Sequence, residues 1–158
     1  MTITHDQSGR CIELERSLPS EAAAISPFVD KLMVLLRACG CVPEDESDVE
    51  IALREALANA IVHGNHEDAR KQVHVTCRCK PDEVSIAVKD QGQGFDIDKI
   101  PDPTSPENVG SIYGRGIYLM RAFMDEVRFE DSGSLVRMRK KAGPNCGQKC
   151  PGQLTGAG

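Results

Sequence analysis

The chain has 158 residues, 40% of them hydrophobic and 27% charged, with a formal net charge of −5 at pH 7. That length holds one domain with a real core, and the composition excludes a disordered or fibrous chain. The acidic balance argues against direct nucleic-acid binding, which needs a basic footprint. No apolar run approaches a membrane span, and the opening "MTITHDQSGR" has no apolar signal core, so the expectation is a cytoplasmic protein with no membrane contact.

In chain order, residues 1–11 read as a loose lead-in. "CIELERSL" alternates apolar and polar residues at Ile12, Leu14 and Leu18, as a strand does. A helix follows, with Ser26 as N-cap, Pro27 in the first turn, and an inward stripe of Phe28, Val29, Leu32, Met33 and Leu36 ending before Gly40. A second helix starts near Pro43, with Glu44, Asp45 and Glu46 in its first turn, where the dipole favours acids. Its buried stripe is Val49, Leu53, Ala56, Leu57, Ala60 and Ile61, and Gly64 is its stop.

"KQVHVTCRC" and "EVSIAVKD" read as strands joined at Pro81-Asp82 into an antiparallel hairpin. Residues 91–114 form a loop rich in glycine and proline, of a length that is usually functional or mobile. "GIYLMRAFMDEV" is helical, with Ile117, Met120, Ala122 or Phe123, and Val127 facing inward. "VRFED", the turn "SGS" and "LVRMRK" make a second hairpin. Residues 142–158 read as a disordered tail, which leaves 12–141 as the domain. Paired strands with helices between them imply an antiparallel or mixed sheet with helices on one face.

The seven cysteines, at positions 11, 39, 41, 77, 79, 146 and 150, form no C-x-x-C knuckles. Cys77 and Cys79 share a strand face and read as small core residues, while Cys146 and Cys150 fall in the tail. No set of four ligands converges in sequence, so structural zinc is not expected.

Three stretches carry chemistry. In "REALANAIVHGN", Glu55, Asn59 and His63 fall four apart on one helix face. A carboxylate there can act as a base, and an amide oxygen one turn on suits Mg²⁺, which prefers hard oxygens. Each residue alone also reads as a polar surface position, and His63 as a helix-end residue. In "DQGQGFD", Asp90 ends a strand beside open glycine backbone, where it can accept a hydrogen bond from an exocyclic amine such as adenine's; the plainer reading is an Asp-Gly turn. In "YGRGIYL", Gly114 and Gly116 open a helix whose free N–H groups attract phosphate, with Arg115 adding charge; alone, such a loop simply turns the chain. There is no P-loop motif.

In this order, "EALANAIVHGN", "DQGQGF" and "GRGIYLM" resemble the N box and the two glycine boxes of the GHKL ATP-binding superfamily. The small size and "GIYLMRAFMDEV" resemble the anti-sigma-factor serine kinases of bacterial partner-switching systems. The resemblance covers about residues 12–141. It implies the Bergerat α/β sandwich, a mixed, mainly antiparallel sheet with helices packed on one face. It implies ATP and Mg²⁺ as cofactors, Glu55 as catalytic base and Asn59 as Mg²⁺ ligand. Asp90 would hold the adenine amine, with Gly92 and Gly94 lining the base pocket, and Gly114, Arg115 and Gly116 would meet the phosphates. Ser134 stands where the family usually has a threonine near the adenine, and it keeps the hydroxyl. Residues between Asp96 and Tyr113 would form the ATP lid. The implied partners are a sigma factor and an anti-anti-sigma protein of STAS type, which is phosphorylated on serine, and the implied assembly is a homodimer. A non-catalytic, ATP-gated protein-binding switch is the alternative. A histidine kinase would need a dimerising helix pair with a phospho-acceptor histidine, and only His5 precedes the N box.

Overall fold

The computed structural model describes residues 2–5, 7, 12–95, 112–144 and 146. Six strands form one sheet: β1 (Thr2–His5), β2 (Ile12–Pro19), β3 (Gln72–Lys80), β4 (Glu83–Lys89), β5 (Glu126–Glu130) and β6 (Leu135–Lys141), in the order β1-β2-β3-β4-β6-β5. Among the described residues every pairing is antiparallel, with none of the parallel pairs that a mixed sheet would have. The cause is local: three of the pairs join strands adjacent in the chain, as hairpins do. Thr2–His5, read from sequence as loose, pair with β2 from Thr2↔Glu15 to His5↔Ile12. The β-branched Thr2, Ile3 and Thr4 favour that extended state.

Three helices cover one face: α1 (Ile25–Ala38), α2 (Asp48–Ala58) and α3 (Ile112–Phe123). Alternation decides which face is inner. On β3, Val73, Val75, Cys77 and Cys79 are buried, while Gln72, His74, Arg78 and Lys80 are exposed. Val84, Ile86 and Val88 continue the inner face on β4, and Val136 and Met138 on β6. The stripes expected on the first two helices are all buried. Ile117 and Met120 of α3 join the same cluster. Along the outer face, Arg78 pairs with Glu13 at 2.9 Å, Arg137 with Glu130 at 2.9 Å and Arg139 with Glu83 at 3.3 Å.

Several boundaries differ from the sequence reading. α2 begins at Asp48, and Asp48 and Glu50, not Glu44–Glu46, supply the acids of its first turn. α1 begins at Ile25, so Ser26 lies inside it; the Ser26 hydroxyl accepts a hydrogen bond from Arg54 Nη1 at 3.0 Å, and Arg54 also pairs with Asp30 and Glu50. Val127 belongs to β5, because α3 stops at Phe123. The segment after β6, expected to be disordered, is packed where described: Gly143 and Cys146 are buried. Cys11, Cys150 and residues 96–111 of the expected lid lie outside the described residues.

Candidate functional site

The site is assembled where α2 meets α3 and β4 ends. Glu55 on α2 and Asn59 at its C-cap lie one turn apart, both half-buried. At Asn59 the α-helical pattern gives way to a single wider π-helical turn, Asn59–Gly64. Such turns recur at functional sites. Bonding at i+5 replaces bonding at i+4 there, so the four-residue stacking that the sequence extends to His63 ends at Asn59. His63 is half-buried, and burial, followed by the neighbouring His66, lowers its pKa.

α3 brings its glycines over this face. A Cβ at Gly116 would lie 3.0 Å from Glu55 Oε2 and 3.8 Å from Asn59 Oδ1. Only the missing side chain lets the two helices approach with the carboxylate between them. Asn59 Nδ2 is buried and, among the described residues, has no hydrogen-bond partner. An orphaned donor of this kind costs about 1–3 kcal/mol, which a bound polar group would relieve. Gly114 is buried beside Gly116 in the first turns of α3, while Arg115 is exposed.

Asp90, directly after β4, is 7% exposed. Its backbone N–H donates to the Ser134 carbonyl at 2.9 Å, and its Oδ1 accepts from the Gly92 N–H at 2.8 Å. Glycines fill the space around it. A Cβ at Gly64 would fall on the Asp90 carboxylate, and one at Gly92 on the Gly64 carbonyl. Gly94 has φ +80 and lies against the Ser132 carbonyl, so it needs glycine on both counts. Burial pushes the Asp90 pKa upward; the Gly92 N–H, Lys71 and His66 oppose that shift less strongly.

Ser134 reaches Asp90 through its backbone, whereas its hydroxyl donates to the Asp131 carbonyl at 2.8 Å. The structure thus unites Glu55 and Asn59 with Gly116, and Asp90 with Gly92 and Ser134. It also places residues that the motif reading passed over. Asn65 is fully buried: its Nδ2 donates to Ser20 Oγ at 2.6 Å and to the Gln72 carbonyl at 3.0 Å, and its Oδ1 accepts from the Gln91 N–H at 2.8 Å. Gln91 Oε1 in turn accepts from the Gln72 N–H at 2.8 Å. Asn65 therefore fixes the turn after Asp90 to β3. Gly64, read only as a helix stop, backs the Asp90 carboxylate. The signal for both was the "HGN" that ends the first motif.

The structure thus sets a carboxylate and an amide against a glycine of α3, and a buried aspartate against Gly64 and Gly92. Comparison with known proteins shows the family. The family model described as a histidine kinase-like ATPase domain matches residues 18–140. A serine-protein kinase RsbW from Bacillus licheniformis is 41% identical over 104 residues, covering 61% of this chain and 65% of that protein. The RsbW of Bacillus velezensis is 30% identical over 134 residues, 80% of this chain and 84% of the relative. An anti-sigma F factor of Oceanobacillus iheyensis is 30% identical over 105 residues, 62% of this chain and 70% of the relative. The chain belongs to the histidine kinase-like ATPase family, in the branch that contains the RsbW serine-protein kinases.

Proposed function

We propose that this protein is an ATP- and Mg²⁺-dependent protein-serine kinase that acts as an anti-sigma factor and phosphorylates an anti-anti-sigma partner. The observation that carries the reading is Gly116 of α3 set against Glu55 and Asn59, which joins the helix-start phosphate motif to the only carboxylate of the N box. Family membership supports ATP as the bound nucleotide, and the names of the relatives support serine as the acceptor and a sigma factor as the sequestered partner. The partner of STAS type, the homodimer and the cytoplasmic location belong to the same reading. Among the described residues no helix is long and apolar enough to cross a membrane.

Asp90 accepts the adenine amine, and Gly92 and Gly94 leave the ring room. Gly114, Arg115 and Gly116 meet the phosphates at the start of α3. Asn59 holds Mg²⁺, whose charge would offset that of the phosphates; the partnerless amide fits this role, since its oxygen and nitrogen are interchangeable by a flip. Glu55 takes the proton from the incoming serine hydroxyl as the γ-phosphoryl transfers in line.

The test is Glu55→Ala with labelled ATP and a candidate partner. Transfer should fall by about 10²–10⁴-fold, the worth of a positioned base, while ATP affinity holds. Label on the partner at the wild-type rate would remove Glu55 from its role. ATP-dependent association without label in the wild type would sink the transferase reading in favour of a non-catalytic switch.

A further inference from the structure

Asn65 ends the first motif, and its backbone and side chain serve different segments. The backbone N–H donates to the Ala60 carbonyl at 2.8 Å and closes the π-helical turn that begins at Asn59. The side chain, fully buried, reaches Ser20, Gln72 and Gln91. Its orientation is forced. The Gln72 carbonyl can only accept and the Gln91 backbone N–H can only donate, so Nδ2 meets the first and Oδ1 the second.

These bonds stand where a ladder has stopped. The β3–β4 register runs from Lys80↔Glu83 to His74↔Lys89, and two residues further it would set Gln72 against Gln91. Side chains take over there. Gln91 Oε1 accepts from the Gln72 N–H at 2.8 Å, and Asn65 Nδ2 donates to the Gln72 carbonyl at 3.0 Å. Asn65 Oδ1 on the Gln91 N–H, at 2.8 Å, closes the ring. The chain can therefore bend away from the strand at Gln91 and Gly92 while staying anchored to β3. On the side of β6, the Asp90 N–H stays on the Ser134 carbonyl. Between the two anchors lies the Gly92 N–H, which donates to Asp90 Oδ1 at 2.8 Å. Where Gln91 is held sets where that N–H points, and so how the carboxylate is turned.

We propose that Asn65, with Gln91 as its clasp, is a positioning residue for selection of the nucleotide base: it holds the Asp90 carboxylate in the orientation that accepts an exocyclic amine. This role rests on the reading of Asp90 as the base acceptor. Asn65 acts through Gln91 and Gly92. The Gly92 N–H occupies Oδ1, and Oδ2 stands over Gly64, where no Cβ intrudes. With the turn released, the carboxylate rotates among rotamers. A hydrogen bond weakens steeply as its alignment is lost, so the amine contributes less and discrimination between bases falls.

The measurement is the affinity of the full chain for ATP relative to purine riboside triphosphate, which lacks adenine's exocyclic amine, by calorimetry. In the wild type this ratio should be about ten- to a hundredfold, the worth of a hydrogen bond to a charged acceptor. Gln91→Ala, at an exposed position, should keep the fold by circular dichroism and lower the ratio severalfold. Asn65→Ala should bring it close to one; where that variant does not fold, Gln91→Ala alone carries the test. Gln91→Glu keeps an acceptor for the Gln72 N–H and should restore the wild-type ratio. Ser20→Ala removes only the Ser20 Oγ partner of Asn65, and should lower the melting temperature without changing the ratio. A wild-type ratio in Gln91→Ala and Asn65→Ala would overturn the proposal. An equal fall in Ser20→Ala would overturn it too, by tracing the effect to lost stability. A wild type that binds both nucleotides alike would instead remove Asp90 from the base pocket, and the positioning role with it.

Discussion

At one end of the β3–β4 hairpin Asp90 is enclosed by glycines; at the other Cys79 is enclosed by sulfurs. The first end makes room. Gly64 and Gly92 withdraw their side chains so that the Asp90 carboxylate can stay buried with open backbone around it, and Gly94 makes room for the Ser132 carbonyl. The second end fills room, with side chains from three segments meeting at one point. An unsatisfied buried group such as Asn59 Nδ2 is costly by itself and is relieved when a polar ligand completes it. The sulfur end waits for no such ligand: Cys41 and Cys79 are bonded to each other, and Cys146 Sγ donates to the Lys80 carbonyl. The contrast predicts that changes at the first end alter binding more than folding.

The largest effect is expected from Gly64→Val. Its side chain would occupy the Asp90 carboxylate, so ATP affinity should fall by more than about a hundredfold in calorimetry, while overpacking costs about 1–3 kcal/mol of stability. A loss of stability well beyond that range would make the two ends one unit, and the comparison fails.

Asp90→Asn comes next, and its signs are opposite for binding and stability. Loss of a charged acceptor is worth about 1.5–3 kcal/mol, or roughly ten- to a hundredfold in ATP affinity. The native Asp90 pKa is raised above its ordinary value of 3.8. The native state therefore holds this proton more tightly than the unfolded chain, and stability falls as pH rises through that window. Above that window the penalty is present, so there the nucleotide-free Asp90→Asn variant should melt higher than wild type. In the wild type, ATP affinity should weaken on acidification from a pH above the usual carboxylate range. A variant that binds ATP normally, or that melts lower, contradicts the burial of this charge.

Ser134→Ala should matter least. It removes the bond to the Asp131 carbonyl, worth about 1 kcal/mol and a few degrees in Tm, and leaves the Ser134 carbonyl on the Asp90 N–H. Ser134→Thr should restore the melting temperature. A large loss of ATP affinity in Ser134→Ala would show that the hydroxyl itself meets the nucleotide.

Much of the fold was legible because periodicity is local. The stripe from Phe28 to Leu36 and the stripe from Val49 to Ile61 are buried as the 3.6-residue spacing requires, and β3 and β4 alternate as a two-residue period requires. The three site motifs were legible for a different reason, since each alone reads as a turn or a surface position and only their order together resembles a known family. Less visible was the π-helical turn at Asn59, which depends on how α2 closes against its neighbours and not on any residue type. Asn65 was also passed over, because an amide gives no sign in sequence that its three partners lie in three other segments.

By itself, then, the sequence determined the elements, the buried faces and the family motifs, all of which arise from residues within a few positions of one another. The tertiary structure alone decided which distant groups touch: Gly116 with Glu55, Gly64 with Asp90, and Cys146 with Cys41 and Cys79 across separations of 105 and 67 residues. Those contacts depend on the register of the sheet and the packing of helices on it, and no local propensity encodes either.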